Sequence, residues 1–263
     1  FLLFSFFLSG SLFAQLSGTY TIDKNSAASS TNYQSFSSLF KDLNSGSRTD
    51  AGTANGPGVS AAVVVNVIKS SGPYTEQVNI TAINGVSSKA NITINGNGEV
   101  VQYTATSSSS SYVFRLNGTD FVTFDGLTVK ALGSSYGRCF HFMNSADNNA
   151  IQNCDLQMPN MTSTSNYNAY VSITQGTTSP TSYGDPGEDI SIIKNNMHSG
   201  SNKGPYTGIM VVNERSGTIV HNYNIENNNI QDWSYAGIYA YYLMEANIKN
   251  NEIHNTGSSI SGY

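Results

Sequence analysis

The chain has 263 residues, a net charge of −5 at pH 7, and only 11% charged and 38% hydrophobic residues. This acidic balance, with no basic stripe that carries interleaved aromatic residues, disfavours nucleic acid and anionic membranes as partners. The β-branched run at residues 61–68 distinguishes this Asn- and Gly-rich chain from a disordered one. We therefore expect one ordered structural unit.

The N-terminal segment is typical of an export signal. Residues 1–8 form an apolar run that is too short to span a bilayer, and small residues follow it up to Ala14. The pattern predicts a partial signal peptide at residues 1–15, with Ala14 the last residue removed; a buried N-terminal strand or helix is the alternative. We expect a secreted or cell-surface protein that lacks its start and continues beyond Tyr263, because no polar cap follows the last repeat.

A strand and a short helix are predicted next, within residues 16–50. The stop signals of the helix are Asn44 and Gly46. The apolar residues that recur at helical spacing are Tyr33, Phe36, Leu39, Phe40 and Leu43. The first coil of a solenoid would otherwise expose open strand edges, so we expect this helix to cap the solenoid and to serve stability alone.

The remaining residues, 51–263, repeat one short pattern. Copies occur at residues 122–127, 151–156, 192–197, 224–230 and 247–253. The spacing of Ile225 and Ile230 puts them on one face of neither a strand nor a helix, so both reach one core only if the chain bends between them. The bend falls at an Asn pair, and Asn tolerates the left-handed conformation that a sharp corner needs. Each copy therefore predicts a strand, an Asn corner and a second strand.

Another strand-like run precedes each copy, which gives three short strands per turn. These runs are Val113 to Leu116, Cys139 to Met143, Ala169 to Ile173, Gly208 to Val212 and Gly237 to Leu243. A repeat of roughly 20 to 40 residues with this content is typical of a solenoid. The sequence predicts an all-β fold, a right-handed parallel β-helix with a short N-terminal capping helix.

The opening coils resemble a known superfamily. Residues 72–80 read Gly-Pro-Tyr-Thr-Glu-Gln-Val-Asn-Ile, and residues 91–98 read Asn-Ile-Thr-Ile-Asn-Gly-Asn-Gly. These runs resemble the start of the pectin-lyase-like right-handed β-helix superfamily, which includes the pectin methylesterases. Residues 18–127 are similar to large secreted bacterial β-helix repeat proteins with a C-terminal sorting domain. The resemblance implies a secreted or surface-exposed solenoid, often one without an assigned activity.

The enzymes of this superfamily depend on acidic residues in defined motifs. The catalytic motifs of pectin methylesterases and polygalacturonases are absent. Asp125 and Asp155 come nearest to a catalytic pair, because coils stacked about 4.8 Å apart bring them within the ~5 to 9.5 Å that glycoside hydrolysis needs. Arg115 or Arg138 would be the basic residue nearby. The alternative is that both aspartates serve corners, which favour Asp as they favour Asn.

One loop offers a candidate metal site. Residues 184–189 gather Asp185, Glu188 and Asp189 between two strands. Oxygen ligands in a flexible loop suit Ca²⁺, so calcium is the one cofactor to consider. The loop lacks the spacing of a recognised calcium loop, and a solvated turn of Asp, Pro and Gly is the alternative.

The histidines do not predict a zinc site. His198 and His254 are expected to face outward in one column, with Gln231 on the coil between them. Two coils span roughly 9 to 10 Å, which is too far for both to bind one zinc ion. Solvated surface positions are the simplest interpretation for His198 and His254. No partner is identifiable for His141 or His221, and a catalytic role is expected for none of the four.

The two cysteines, Cys139 and Cys154, fall in a strand and at a corner. They are expected on neighbouring strands. A disulfide in an oxidising compartment and two buried free thiols are both open alternatives.

Aromatic residues near the end of the chain favour binding over chemistry. If Ile238 and Ala240 face the core, Tyr239 and Tyr241 stand side by side outside. Trp233 and Tyr235 lie in the loop before them. Flat rings pack against the C–H faces of sugars, so these four aromatic residues are the candidate ligand-binding set. The alternative is that Tyr simply suits a half-buried strand surface.

The predicted function is therefore adhesion or glycan binding by a secreted or cell-surface β-helix module without catalysis. The expected partners are a polysaccharide or a cell-surface glycan and the downstream part of the same polypeptide. No membrane span is expected. The alternatives are a polysaccharide lyase or glycoside hydrolase and a structural spacer; an enzyme would need convergent acids and a basic residue in a groove.

Overall fold

The structure is a computed structural model that describes residues 15–179, 182–200, 204–214 and 221–255. Within these ranges the chain winds into a right-handed parallel β-helix with three strands per coil, which confirms the predicted fold. A coil passes through three parallel sheets, A, B and C, in that order. The predicted signal peptide lies outside the described ranges except for Gln15.

The three sheets stack equivalent strands of successive coils. Sheet A runs through β2 (Asn32–Tyr33), β1 (Leu16–Ile22), β3 (Val59–Val67), β6 (Ile92–Asn95), β9 (Val122–Asp125), β12 (Ala150–Gln152), β15 (Ser191–Ile193), β18 (Tyr223–Glu226) and β21 (Ala246–Lys249). Sheet B runs through β4 (Tyr74–Thr75), β7 (Val100–Tyr103), β10 (Thr128–Ala131), β13 (Asp155–Gln157), β16 (Asn196–His198), β19 (Asn229–Gln231) and β22 (Glu252–His254). Sheet C runs through β5 (Val78–Thr81), β8 (Phe114–Asn117), β11 (Arg138–Met143), β14 (Ala169–Thr174), β17 (Thr207–Val212) and β20 (Ala236–Tyr241).

The corner between sheets A and B turns at a residue with positive φ. The residues at this position are Gly126, Asn153, Lys194, Asn227 and Asn250, with φ between 53° and 69°. Glycine adopts this conformation freely, and Asn tolerates it better than most residues do. The corner is short, since β12 ends at Gln152 and β13 begins at Asp155. The predicted succession of strand, Asn corner and strand is confirmed.

The next residue of each corner points inward, where Asn side chains form a ladder. Asn195 and Asn228 are only 2% and 1% exposed. Oδ1 of Asn228 accepts from the backbone N–H of Asn195 at 2.9 Å, and Nδ2 of Asn228 donates to the Ile192 carbonyl at 2.8 Å. The ladder continues into the coils on either side. The backbone N–H of Cys154 donates to Oδ1 of Asn195 at 2.9 Å, and Oδ1 of Asn251 accepts from Nδ2 of Asn228 at 2.9 Å. The amides satisfy backbone groups that the sharp corner leaves unpaired.

The coils differ in length although this corner does not. Successive ladder residues from Cys154 to Asn251 are 41, 33 and 23 residues apart, in agreement with the predicted range. The extra residues fall in the connections on either side of sheet C, such as the one from β13 to β14 and the one from β14 to β15.

One continuous hydrophobic core fills the interior of the stack. In the early coils it is aromatic, because Phe114 packs against Phe124 and Phe140 with ring centroids 4.9 and 5.3 Å apart. In later coils aliphatic side chains such as Ile192 and Ile225 replace the rings, and both are fully buried.

A short helix, α1 (Phe36–Ser45), packs against β1, β2 and β5 at the N-terminal end of the stack. Ser35 is its N-cap, and Gly46 ends it with a φ of 63°. The Glu76 carboxylate, between β4 and β5, accepts from the N–H of Phe36 at 3.0 Å and from that of Ser37 at 2.8 Å. A carboxylate at the N-terminus of the helix accepts hydrogen bonds from N–H groups that have no partner within the helix, and its negative charge interacts favourably with the positive end of the helix dipole.

The helix differs from the prediction in one respect and agrees in the rest. Tyr33 precedes the helix and belongs to β2, because the Ser35 cap starts the helix after it. Phe36 and Phe40 point into the stack as expected, and Phe40 lies 6.3 Å from the ring of Phe124. None of the helices in the described ranges has the length and apolar character needed to cross a membrane.

We predict that Asn228→Ala destabilises the protein by about 3 kcal/mol, because removing the amide leaves buried N–H and C=O groups of the adjacent coils without partners. Asn224→Ala is the matched control, because Asn224 lies in the same coil, on strand β18 just before the corner, but is half-buried and points outward; its effect should stay within roughly 0.5 kcal/mol. Urea unfolding followed by circular dichroism measures both. Equal stability of the two variants would contradict a stabilising role for the ladder.

Candidate functional site

The outer face of sheet C is unlike that of the other two sheets. Every residue of β11, β14 and β17 is buried, although alternate residues of a strand point away from the core. Side chains from the flanking loops must therefore cover this face. The last described strand of the sheet, β20, is more open, and Tyr241 is 43% exposed.

Two tyrosines stand on the outer face of β20. Ile238 pairs with Ile209 and Ala240 with Val211, whose side chains point into the core. Alternation then places Tyr239 and Tyr241 on the opposite side. Tyr239 packs there against a small apolar cluster that lies outside the main core; its buried members are Ala169, Met210 and Val212. The sequence-predicted orientation of both tyrosines agrees with this register.

Four further tyrosines join these two in what we call the tyrosine face. Its members are Tyr183, Tyr206, Tyr235, Tyr239, Tyr241 and Tyr242. Tyr206 and Tyr235 stack with ring centroids 4.5 Å apart and planes 4° from parallel, and Tyr235 lies 6.0 Å from Tyr239. Tyr183 lies 6.1 Å from Tyr241 and 5.5 Å from Tyr242. The rings thus form two groups that meet on β20.

At one end of the tyrosine face the rings of Tyr206 and Tyr235 are nearly parallel. Burial, together with the neighbouring phenols of Tyr235 and Tyr239, raises the pKa of Tyr206. Its hydroxyl is therefore protonated at neutral pH and able to donate a hydrogen bond. A parallel pair of rings with phenol hydroxyls at the edge offers both a stacking surface and polar contacts.

Trp233, the fourth aromatic candidate, is placed differently. It is partly buried and packs against the main core. Its Nε1 is buried without a hydrogen-bond partner. The structure thus brings Tyr235, Tyr239 and Tyr241 into the tyrosine face, and it directs Trp233 toward the interior.

Sequence reasoning missed Tyr183, Tyr206 and Tyr242. For Tyr206 a signal was available. Thr207 pairs with Ala236, so the run of Tyr206, Thr207 and Gly208 aligns with Tyr235, Ala236 and Gly237 one coil later. Tyr183 lies in a loop outside any repeat, and no pattern in the sequence identifies it.

The carboxylates of Asp125 and Asp155 take part in outer polar ladders. Asp125 ends β9 and accepts from Gln152 at 2.9 Å and from Asn153 at 2.7 Å. Asp155 begins β13 and accepts from Asn196 at 2.9 Å. Both therefore have the corner environment that the structural alternative describes, on the two sides of the corner between sheets A and B.

The basic candidates lie elsewhere. Arg138 begins β11 in sheet C and is fully buried. Arg115 lies in β8 of the same sheet, and its Nε donates to Nδ1 of His141 at 3.3 Å. Both arginines thus belong to strands of sheet C, whereas Asp125 and Asp155 belong to strands of sheets A and B. The strands give no support for the expected proximity of an arginine to the two aspartates.

The calcium candidates lie beside the carboxylate of Asp147. Asp185 accepts from Ser145 Oγ at 2.5 Å, and Asp147 accepts from the backbone N–H of Glu188 at 2.8 Å. Burial, then repulsion from Asp147, Asp185 and Asp189 among others, raises the pKa of Glu188. In the described part of the chain no group of three or more His, Cys, Asp or Glu residues could hold a metal ion as placed.

The histidines occupy varied environments. Gln231 pairs with His254 on the adjacent strand, and His198 ends the strand before them, so the predicted column is present. His198 Nε2 lies 3.0 Å from Oδ1 of Asp155, and both side chains are about one-third exposed. His141, for which the sequence offered no partner, is buried. His221 is also buried, and neither of its ring nitrogens has a hydrogen-bond partner among the described residues.

Both cysteines are free and buried. The Cys139 thiol contacts the carbonyl of Val129 at 3.4 Å, and the Cys154 thiol contacts that of Gln152 at 3.2 Å. Burial is the main cause that raises the pKa of each thiol to about 12. The structure therefore favours the second alternative, two free thiols.

We predict that neither thiol reacts with Ellman's reagent at pH 8 in the native protein. The reagent needs the thiolate, and a raised thiol pKa leaves almost none at that pH, while burial denies access. After unfolding in guanidinium without any reductant, both Cys139 and Cys154 should react. A disulfide would give no reactive thiol until reductant is added, and rapid labelling of the native protein would contradict the burial.

Comparisons with known proteins add no family. A scan against protein-family models found no match, and searches of the curated proteins and of the solved structures found no significant similarity.

Proposed function

We propose that this chain is an exported β-helix module that binds a glycan without catalysis, in adhesion to a polysaccharide or a cell surface. The observation that carries the proposal is the tyrosine face, in which stacked rings lie outside sheet C. Sugar rings present apolar C–H faces that pack on aromatic rings, while phenol hydroxyls and nearby polar groups bind the sugar hydroxyls.

The arrangement of the rings supports a binding role over a purely structural one. Tyr241 is 43% exposed and lies against Tyr183, whose own exposure is 41%. Large aromatic side chains that remain exposed in a group cost free energy in water unless a partner covers them. A half-buried tyrosine on a strand needs no partner, but a group of exposed rings is typical of an interaction site.

The proposal also covers the protein family to which the chain belongs and its location outside the cell. We place the chain with the pectin-lyase-like β-helix proteins, and more narrowly with secreted bacterial repeat proteins that carry a sorting domain. Support comes from the motif at residues 72–80, whose Glu76 caps α1, and from the export-like N-terminal segment. The parallel β-helix fold occurs in this family and in others, so the fold alone does not identify the family.

A lyase or hydrolase finds less support in the arrangement of charged groups. Asp125 and Asp155 accept amide hydrogen bonds, and Arg138 is buried in another sheet. A catalytic site of this type needs two carboxyl groups that face a common groove, with a base or acid free to reach the sugar.

We predict that the double variant Tyr239→Ala/Tyr241→Ala loses glycan retention by roughly tenfold or more, since each lost tenfold corresponds to about 1.4 kcal/mol and aromatic anchors commonly contribute this much. The complete protein would be tested on immobilised neutral glycans and polyuronates. Tyr136→Ala is the matched control, because Tyr136 also stacks on a tyrosine, Tyr167, but in a different loop.

The outcomes separate the alternatives. Unchanged retention by the double variant would remove the tyrosine face as the binding site. Release of soluble sugar from any polymer would replace the binding proposal by catalysis. A protein that neither retains nor cleaves any member of the panel would be a structural spacer.

Export gives a separate prediction. When the complete chain is expressed in a bacterial host that secretes it, N-terminal sequencing of the exported form should begin at Gln15. Cleavage after Ala14 leaves β1 intact, and Leu16 at its start is fully buried. Retention of residues 1–14 in the exported form would contradict the signal peptide.

A further inference from the structure

Arg138 is a fully buried arginine that is held from two loops. Its Nη1 donates to Oγ of Ser111 at 3.0 Å and to the carbonyl of Thr177 at 3.1 Å. Ser111 precedes β8, and Thr177 follows β14. Since Ser111 itself donates to the Ser108 carbonyl at 3.0 Å, its oxygen is oriented to accept from the guanidinium. These contacts fix the position of the guanidinium without any ligand.

The other edge of the same guanidinium has no partner. Nε and Nη2 of Arg138 are buried, and neither makes a hydrogen bond with any of the residues that the structure describes. Nε–H and one N–H of Nη2 point in parallel, in the plane of the guanidinium, along this edge, and they form the fork that binds two oxygens of a carboxylate, sulfate or phosphate group. An arginine stays charged in a protein, so it cannot escape this situation by losing its proton.

A second buried arginine shows what a satisfied guanidinium looks like in this chain. Arg48 Nε and Nη2 donate to the Asp50 carboxylate at 2.7 and 2.9 Å. Its Nη1 donates to the carbonyls of Ser29 and Thr53 at 2.5 and 3.0 Å. At Arg48 the fork is thus occupied by a carboxylate of the chain itself, whereas at Arg138 no group of the described ranges donates to or accepts from the equivalent fork.

The surroundings of Arg138 are positive. The charged groups that act on it from the described residues are Arg115, which disfavours its charge, and the phenol of Tyr167. Arg115 donates to Nδ1 of His141, and that ring's Nε2 lies 3.0 Å from the Thr174 carbonyl. His141 is therefore the neutral tautomer, with hydrogen on Nε2, and burial followed by the two arginines lowers its pKa well below the usual value.

We propose that the Nε–Nη2 edge of Arg138 binds a small oxyanion, a sulfate, phosphate or carboxylate group, on the covered outer face of sheet C. Two buried or half-buried guanidiniums without an opposing carboxylate create an uncompensated field, and an unpaired buried charge is strongly destabilising. An anion that accepts hydrogen bonds from both Nε–H and Nη2–H satisfies the two unpaired donors, and its negative charge offsets the positive charge of the guanidinium. The site is independent of the tyrosine face and of the glycan proposal.

Isothermal titration calorimetry on the complete protein tests the site with sodium sulfate, sodium phosphate and sodium acetate in separate titrations, at constant ionic strength against chloride. We expect saturable binding with one site per chain. Sulfate or phosphate alone would indicate a tetrahedral anion, and acetate would indicate a carboxylate-bearing ligand. No saturable binding of any of the three would overturn the proposal.

Variants locate the bound anion. Arg138→Met keeps the length of the side chain and should weaken binding at least tenfold, whereas Arg48→Met should leave it unchanged because the Asp50 carboxylate already occupies that fork. Binding that survives Arg138→Met would overturn the assignment.

Two further measurements apply if Arg138→Met fails to fold. Ser111→Ala removes one anchor of the guanidinium while leaving its fork, and a severalfold loss of affinity is expected; unchanged affinity would contradict the proposal. Where sulfate or phosphate binds in solution, crystals soaked with selenate should show an anomalous peak within hydrogen-bond distance of Nε and Nη2 of wild-type Arg138. Where acetate alone binds, bromoacetate replaces selenate in the soak and its carboxylate should lie there. In either case, a peak elsewhere, or none, would overturn the site.

Discussion

The corner between sheets A and B sets the rest of the structure. Two strands separated by so short a turn require one residue with positive φ, which costs a non-glycine residue roughly 1–2 kcal/mol. Lys194 occupies this position with a φ of 56°, although lysine has no preference for it. Its neighbour Asn195 keeps its place in the buried ladder. At this corner the inward amide is present although the left-handed residue is neither Asn nor Gly, so the hydrogen bonds of the ladder and the left-handed backbone are separate requirements of the corner.

The ladder also divides the stack into two kinds of core. At Asn195, Asn228 and Asn251 the amide bonds run from coil to coil. At Cys154 the ladder ends, since a thiol accepts and donates only weakly, and at Leu127 the same position is apolar and 1% exposed. Toward the N-terminus, packing of phenylalanine rings replaces the directional bonds of the later coils. One register thus accommodates both kinds of core.

The repeat makes the β-helix scaffold predictable from the sequence. Residues whose positions depend on loops outside the repeat are not predictable in this way. The corner at Asn227 and the outward direction of Tyr239 follow from local spacing and alternation, which the sequence displays directly. The position of Arg138 does not, because its partners Ser111 and Thr177 come from loops without a period. Those loops, and the one that brings Tyr183 to Tyr241, depend on tertiary contacts that no short pattern encodes.

The fixed corner also determines where a binding surface can form. The turn from β12 to β13 contains only the two residues between Gln152 and Asp155, so an insertion there would break the ladder. Coil lengths of 23 to 41 residues must then be accommodated beside sheet C. Loops of variable length over one sheet, held by a scaffold that cannot shift, are the usual place for recognition residues. The tyrosine face and the fork of Arg138 both lie on sheet C, where the loops of the described coils vary in length.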